Sequence, residues 1–203
     1  MHKLFPIKLG FNNKKYYPMK KIRKKFFLII GRHNPHKNLR RVIKAFAYSK
    51  INDYKLIFVG PFDKRHTPIL LKLIEKHNIR HLCVWKGWID DDEKLSLLNE
   101  CHALIIASLW EGFGLPALEA MACGTPVIAS DRGALREVMG NYGYFINPFN
   151  IQSIACAMKA VINDKKCFEK ALQEGPSRAE SFNLSLIHIS EPTRRYAISY
   201  AVI

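Results

Sequence analysis

A buried strand, a glycine-rich turn and a helix follow one another in the middle of the chain. The strand is the apolar run ALIIA at 103–107, which is typical of a parallel strand buried on both faces. Gly112 and Gly114 flank Phe113, and Pro116 stands in the first turn of the predicted helix, where a missing N–H is tolerated. Such a turn directs free backbone N–H groups and the positive end of a helix toward an anion.

Two glutamates bracket this turn. Glu111 lies in the turn itself, and Glu119 lies about one helical turn beyond it. Carboxylates accept hydrogen bonds from sugar hydroxyls, so two of them beside a phosphate-binding turn favour a sugar nucleotide as the ligand. The structural alternative is a pair of acids that caps the helix or lies on its surface.

Short apolar runs alternate with amphipathic segments over most of the chain. The alternation predicts an α/β fold: a Rossmann-like, three-layer arrangement with a parallel sheet of about six strands. The predicted strands are 26–30, 55–60, 83–88, 103–107, 126–131 and 143–148, and helices are predicted from 39, over 67–77, 90–100, 115–122, from 133, over 151–162 and over 165–173. The last helix is expected to stop near Gly175 and Pro176.

The first predicted strand ends at a second candidate part of the site. Arg32 and Lys37 follow that strand, and Asn38 is the predicted N-cap of the next helix. Ligands of open α/β sheets bind at the carboxyl ends of strands, so these two cations are candidates for binding an anion. The alternative is a pair of exposed surface cations. The chain has no GxGxxG, GxxxxGK[ST], GxSxG or HExxH motif, which argues against a dehydrogenase, a P-loop NTPase, a serine hydrolase of the nucleophile-elbow type and a zincin.

The net charge of +15 favours a partner that carries phosphate. Residues 1–25 contain nine Lys or Arg and no acid, and we interpret this stretch as a solvated basic linker. A patch that rests on anionic lipid and an arm that binds nucleic acid are the alternatives.

Two further patterns bear on metals and redox state. Asp90, Asp91 and Asp92 contain a DxD triplet, which could hold a metal but is better explained as the capped first turn of a helix. Five cysteines without a CxxC spacing predict reduced, mostly buried thiols in a cytosolic protein. No apolar run approaches the ~18 residues of a membrane span, and the N-terminus lacks a signal-peptide pattern.

These landmarks resemble the C-terminal half of the retaining glycosyltransferases of family 4, which have the two-domain GT-B fold. The resemblance covers residues 8–185. It rests on the glutamates of EGFGLPALE at 111–119, on Gly31-Arg32 with Lys37-Asn38, and on the later order GTPV, RGAL and NP at 124–127, 132–135 and 147–148. The version HNPHKNL at 33–39 is similar to enzymes that transfer mannose or related hexoses in bacterial polysaccharide assembly.

The resemblance implies roles for individual residues. Arg32 and Lys37 are expected to neutralise the donor diphosphate, and Glu111 to hold the donor sugar and face the reacting carbon; these three are the expected catalytic residues. Glu119 is expected to bind the ribose. The other expected donor-binding residues are Gly31, Gly112, Phe113, Gly114 and Leu115 near the phosphates, and Val84, Trp85 and Gly87 near the base. The donor is expected to be a GDP- or UDP-sugar, and no metal or other cofactor is expected.

The same resemblance divides the chain into three parts. Residues 1–25 correspond to an interdomain linker, 26–185 to the nucleotide-sugar-binding domain, and 186–203 to a tail that we hypothesise is not native sequence. A glycan or lipid-linked acceptor is expected to bind through an N-terminal domain that this chain does not carry, so the chain alone is expected to be inactive. We expect a cytoplasmic protein, with peripheral contact to an anionic inner membrane face as a further hypothesis.

A basic nucleic-acid-binding module is the alternative function, although the glutamate pair would repel a polyanion. A second alternative function is a sugar-nucleotide-binding domain without catalytic activity.

Overall fold

A computed structural model describes residues 14–182 of the 203-residue chain. Its centre is a sheet of six parallel strands in the order β3-β2-β1-β4-β5-β6. The prediction of a six-stranded parallel sheet is therefore confirmed. The strands are β1 (Phe26–Ile30), β2 (Lys55–Val59), β3 (Cys83–Lys86), β4 (Ala103–Ile106), β5 (Val127–Ser130) and β6 (Tyr144–Ile146).

Helices cover both faces of the sheet, as the sequence predicts. Within the described residues they are α1 (Leu39–Ser49), α2 (Thr67–Lys76), α3 (Asp91–Glu100), α4 (Leu115–Ala122), α5 (Ala134–Met139), α6 (Ile151–Asn163) and α7 (Cys167–Glu180), with short 3-10 turns at Pro35–Lys37 and Arg80–Leu82.

The two faces of the sheet form two apolar clusters. Phe27 and Ile29 of β1 point into the cluster that α1, α2 and α6 cover, whereas Phe26 and Leu28 point into the cluster of α3, α4, α5 and α7. This alternation follows from the two-residue period of a strand, and it explains why β1 is apolar at every position.

The last helix corrects one prediction. α7 does not stop near Gly175 and Pro176 but continues to Glu180 with both residues inside it. A Cβ atom on Gly175 would lie 2.5 Å from the carbonyl oxygen of Met121 and 3.1 Å from the hydroxyl of Tyr142. The glycine therefore lets α7 approach α4 closely, and this packing outweighs the usual helix-breaking effect of both residues.

Helix starts behave differently at Asn38 and Asp90. Asp90 caps α3, its carboxylate accepting from the backbone N–H of Glu93 at 2.7 Å, as predicted. Asn38 precedes α1 but its side chain does not cap it. Its φ is 58°, and its side-chain amide donates to the carbonyl oxygens of Ala107 at 3.0 Å and Pro148 at 2.7 Å. The residue thus ties the ends of β4 and β6 to the start of α1.

The basic segment 14–25 packs along α3. Lys15 pairs with Asp91, and Lys21 and Lys24 both pair with Glu100. The structure differs from the expected solvated linker most clearly at Arg23, whose guanidinium reaches inward. It donates to the carbonyl oxygens of Leu98, Cys101, Cys123 and Gly124 and to the hydroxyl of Thr125.

Arg23 joins the carboxyl ends of two helices. Its acceptors belong to the end of α3 and to the residues directly after α4, where helices leave carbonyl groups without intrahelical partners. Burial lowers the pKa of Arg23, but a guanidinium stays charged at any ordinary pH. Arg23 therefore fixes α3 against α4.

The cysteines are free, and four of the five are buried, with Cys156 on α6 the exposed one. Burial raises the pKa of Cys83, Cys101 and Cys123 to about 12 and that of Cys167 to about 11. Within residues 14–182 no helix is long and apolar enough to cross a membrane. The tail at 186–203 and the first 13 residues of the basic run lie outside the described residues.

Candidate functional site

The order of the strands places a crevice between the ends of β1 and β4. The chain runs outward from β1 through β2 to β3, and then returns to β4 on the other side of β1. The loops after β1 and β4 therefore leave the sheet in opposite directions, and ligands of open α/β sheets bind at such a point. The predicted cations follow β1, and the predicted glycine-rich turn follows β4.

Hydrogen bonds hold these two loops together. The backbone N–H of Leu109 donates to the carbonyl oxygen of His36 at 2.7 Å. Gly114 precedes α4 with φ 87°, and a Cβ atom there would lie 2.7 Å from Cδ2 of Leu135. Only glycine fits this position, so the turn brings the first N–H groups of α4 to the same edge as the loop after β1.

Glu111 is neutralised from the loop after β1. Its Oε1 accepts from Nζ of Lys37 at 2.5 Å and from Oγ of Ser108 at 2.6 Å. The side chains are 12% exposed for Glu111 and 19% for Lys37. Gly31 lies beneath the lysine, since a Cβ atom on it would be 3.1 Å from Cε of Lys37. The structure thus brings together two of the predicted catalytic residues.

Arg32, the third predicted catalytic residue, is exposed, and its side chain makes no hydrogen bond or ion pair with any other residue between 14 and 182. Gly112 and Leu115 are likewise exposed at this edge, whereas Phe113 is half-buried against the α4 side of the core. The edge therefore presents the exposed cation Arg32 beside the paired Lys37 and Glu111.

Glu119 lies inside α4 and is neutralised by a different helix. The residue is 8% exposed, and Nζ of Lys94 on α3 lies 2.6 Å from its carboxylate. Tyr16 of the basic segment is buried beside it. Burial, together with the negative charge and hydrogen bonding of Glu119, raises the pKa of Tyr16.

Sequence reasoning does not find the partners of either glutamate. Lys94 and Tyr16 are 25 and 103 residues from Glu119 along the chain, and Arg23 belongs to a run predicted to be solvated. Ser108, three residues before Glu111, has no predicted role, although a polar residue directly after a buried strand is a signal that could have marked it. No local pattern marks Lys94, because its role depends on how α3 packs against α4.

The predicted base-binding residues occupy the end of β3. Trp85 faces inward, stacked on Phe58 with ring centroids 4.2 Å apart and in edge contact with His33 at 4.8 Å. Burial lowers the pKa of His33, which keeps its ring neutral at neutral pH. Val84 is half-buried, and Gly87 is exposed, with open space where a Cβ atom would lie. The backbone N–H of Gly60 holds this end by donating to the carbonyl oxygen of Gly87.

Three aromatic side chains are exposed along the same edge. Phe62 is 61%, Trp88 79% and Trp110 68% exposed, and they follow β2, β3 and β4 respectively. Within the described residues no group of three or more His, Cys, Asp and Glu side chains is arranged to hold a metal ion. Asp91 of the DxD triplet pairs with Lys15, whose hydrogen bond lowers the pKa of Asp91.

The sequence profile of the family described as "Glycosyl transferases group 1" matches residues 15–178. The chain belongs to this family of glycosyltransferases. The predicted family is confirmed, and with it the predicted fold, the C-terminal half of GT-B.

Individual relatives agree with this assignment. The chain is 29% identical over 161 residues to the O-antigen chain mannosyltransferase B of Escherichia coli, covering 78% of this chain and 42% of the relative. The C-terminal domain of a glycosyl transferase group 1 family protein, LpcC, from Francisella tularensis superposes with a TM-score of 0.75 at 27% identity, covering 86% of this chain and 100% of that domain. Sucrose-phosphate synthase from Thermosynechococcus elongatus gives 0.82 at 26% identity, covering 90% and 49%. The chain thus spans less than half of the mannosyltransferase and of the sucrose-phosphate synthase chain.

Proposed function

We propose that this chain is the donor-binding half of a retaining glycosyltransferase. Its substrate would be a GDP- or UDP-sugar, and the transferred group a hexosyl group, mannose being the expected one because several relatives are named mannosyltransferases. The observation that carries the proposal is the crevice between β1 and β4. There Lys37 lies 2.5 Å from Glu111, Arg32 is exposed without a partner within the described residues, and the second carboxylate, Glu119, is buried in α4 nearby in the chain.

The roles of the cations follow from the charge that develops during transfer. When the bond between the sugar and the diphosphate breaks, negative charge collects on the leaving nucleotide. Arg32 and Lys37 would stabilise it, and the backbone N–H groups of Phe113, Gly114 and Leu115 would add the positive end of α4. These groups supply the compensation that a metal provides in other sites, so we propose that no metal is needed.

The two carboxylates would bind sugar rather than phosphate. Glu111 shares its edge with the phosphate-binding cations, so its carboxylate would accept hydrogen bonds from hydroxyls of the donor sugar and face the reacting carbon. Donor phosphate would replace Glu111 as the partner of Lys37. Glu119 would accept from the ribose, while Gly31, Gly112, Val84, Trp85 and Gly87 would shape the phosphate and base ends of the site.

The acceptor would bind across the same edge. We propose that a glycan or lipid-linked acceptor is held by a further domain, because Phe62, Trp88 and Trp110 are exposed at that edge. Peripheral contact of the basic segment with anionic lipid is also part of the proposal. Three of its lysines, Lys15, Lys21 and Lys24, are paired with α3, which reduces the charge left for a lipid surface.

Calorimetric titration of the chain with GDP and with UDP tests the donor site. We expect one of them to bind, and Arg32→Ala and Glu119→Ala to bind it at least about ten-fold more weakly. Arg80→Ala is the matched control, because Arg80 precedes β3 at the opposite edge of the sheet. Equal binding by the wild type and both site variants would contradict the assignment. Salt-dependent retention of single-stranded DNA without competition by nucleotide would favour a nucleic-acid module instead.

A further inference from the structure

The carboxylate of Glu119 lies on α4, where it is buried in an apolar layer of the protein. Its neighbours in α4, Leu118 and Ala120, are fully buried, and an ion in such surroundings needs a partner. Lys94 is that partner. Its Nζ donates to Oε1 at 2.6 Å, whereas Oε2, although equally close, is buried without a hydrogen-bond partner. Oε1 is thus hydrogen-bonded to the lysine, whereas Oε2 makes only the ionic contact with it.

Lys94 is itself held in a fixed place. Its Nζ lies 5.3 Å from the centroid of the Tyr16 ring, and its side chain is 20% exposed. Tyr16 belongs to the basic segment, which Lys15 and Lys21 fasten to α3. The lysine is thus enclosed between its own helix, the tyrosine ring and the carboxylate.

We propose that Lys94, enclosed by Tyr16, is a positioning residue that makes Glu119 selective for a ribose. The inference rests on the proposed function and concerns the same site. Lys94 occupies Oε1 and orients the carboxylate so that Oε2 accepts a hydrogen bond from a ribose hydroxyl. Without the lysine the carboxylate would keep its hydrogen bond with Tyr16 but lose the only cation that contacts it within the described residues, so we expect its orientation to change.

The test compares GDP with 2′,3′-dideoxy-GDP, and UDP with 2′,3′-dideoxy-UDP, by calorimetry on the whole chain. The wild type is expected to prefer the ribose form of the nucleotide that it binds by at least about ten-fold. Lys94→Met is expected to bring this ratio to within about two-fold of one. Lys25→Met, which removes an ion pair to Asp53 before β2 and leaves the contacts of Lys94 intact, is expected to keep the wild-type ratio.

A second variant guards against loss of the fold. Lys94→Arg keeps a cation on α3 but moves the donated hydrogen bond, so it is expected to fold and to show a ratio between those of the wild type and Lys94→Met. A Lys94→Met or Lys94→Arg protein that binds both forms more weakly but keeps the full ratio would overturn the inference. A wild type that binds both forms equally would overturn the inference and the ribose role of Glu119 but leave the nucleotide site standing, whereas a wild type that binds no nucleotide would overturn the proposed function as well.

Discussion

The two glutamates of the site have similar burial and different surroundings. The side chain of Glu111 is 12% exposed and that of Glu119 is 11% exposed, and each lies within about 2.6 Å of one lysine. Glu111 stands in a loop and meets Lys37 from another loop. Glu119 stands in a helix and meets Lys94 from another helix, with the basic segment packed behind it.

Under the proposed function, this difference would separate an ion pair that opens on donor binding from one that persists. Lys37 is also a proposed phosphate ligand, so its contact with Glu111 would open when a donor binds. Lys94 has no second role, and its contact with Glu119 would persist. We therefore expect the contacts of Glu111 to change when a donor binds, and those of Glu119 to Lys94 and Tyr16 to remain.

The largest expected effect that tests this comparison is a loss of stability on replacing one of two arginines. Arg23→Met should lower the free energy of unfolding by about 3 kcal/mol, because it leaves carbonyl groups at the ends of α3 and α4 without a donor. Arg32→Met should change it by less than about 0.5 kcal/mol, since Arg32 is exposed and unpaired within the described residues. Urea denaturation measures both values. Equal effects would show that the Glu119 region is no more firmly built than the Glu111 region.

Removing the Glu119 carboxylate should weaken the binding of the free nucleoside diphosphate, which carries no transferable sugar. Glu119→Ala is expected to reduce the affinity for the nucleoside diphosphate by about ten- to hundred-fold, because hydrogen bonds to a charged group are lost. Calorimetry with the free nucleotide measures this effect, and thermal unfolding of the variant shows whether it remains folded. An unchanged affinity in a folded variant would remove Glu119 from the nucleotide site.

The substitution Glu111→Gln should strengthen nucleotide binding, whereas Glu119→Ala should weaken it. The substitution releases Lys37 from its ion pair, so the affinity for the free nucleoside diphosphate is expected to rise by about threefold. The hydrogen bond from Ser108 can persist to the amide oxygen. The same titration measures the change. A fall in affinity would mean that the Lys37–Glu111 pair is as permanent as the Lys94–Glu119 pair.

The smallest effect concerns pH and the anchoring of the basic segment. Burial alone would raise the pKa of Glu100, but hydrogen bonds from Lys24 and Lys21 hold it below its ordinary value of 4.5. A depressed folded-state pKa stabilises the protein above the unfolded value, and this stabilisation is lost as pH falls through the folded value. Glu100→Gln should therefore remove about 0.5 kcal/mol of the stability difference between pH 6 and an acidic pH below the folded pKa, as measured by urea denaturation at the two pH values. Identical pH profiles for wild type and variant would contradict the anchoring.

The fold could be predicted because its strands, turns and helices follow from local sequence patterns. The β1 run FFLII is apolar throughout, which is the mark of a strand buried on both faces, and the glycines beside Phe113 mark the turn after β4. Strand ends are predicted too long at Gly60 and Trp88, since apolar or glycine residues continue past the last ladder hydrogen bond. The predicted helix end at Gly175 is wrong for a different reason. The glycine packs against Met121 of α4, which lies 54 residues earlier in the chain.

The position of candidate site residues relative to one another was predictable only where they share a loop. Glu111, Gly112 and Gly114 follow one another, and the spacing to Glu119 is a sequence fact. Lys94 and Arg23 could not be assigned, because a lysine on a polar helix and an arginine in a basic run have many equivalent surface explanations. Their contacts depend on the packing of α3 against α4, which no single-sequence pattern encodes. The individual roles of the predicted site residues stay predictions until the titrations are done.

The uneven burial of the five thiols gives this protein a natural attachment point for a probe. Alkylating reagents react with thiolates, and the buried cysteines combine low access with a pKa of about 11 or 12. A maleimide dye should therefore couple to Cys156 of the native protein without any cysteine being replaced. That position lies on α6, in the helical layer on the opposite face of the sheet from Glu119, so fluorescence from it could follow nucleotide binding or unfolding while leaving both glutamates untouched.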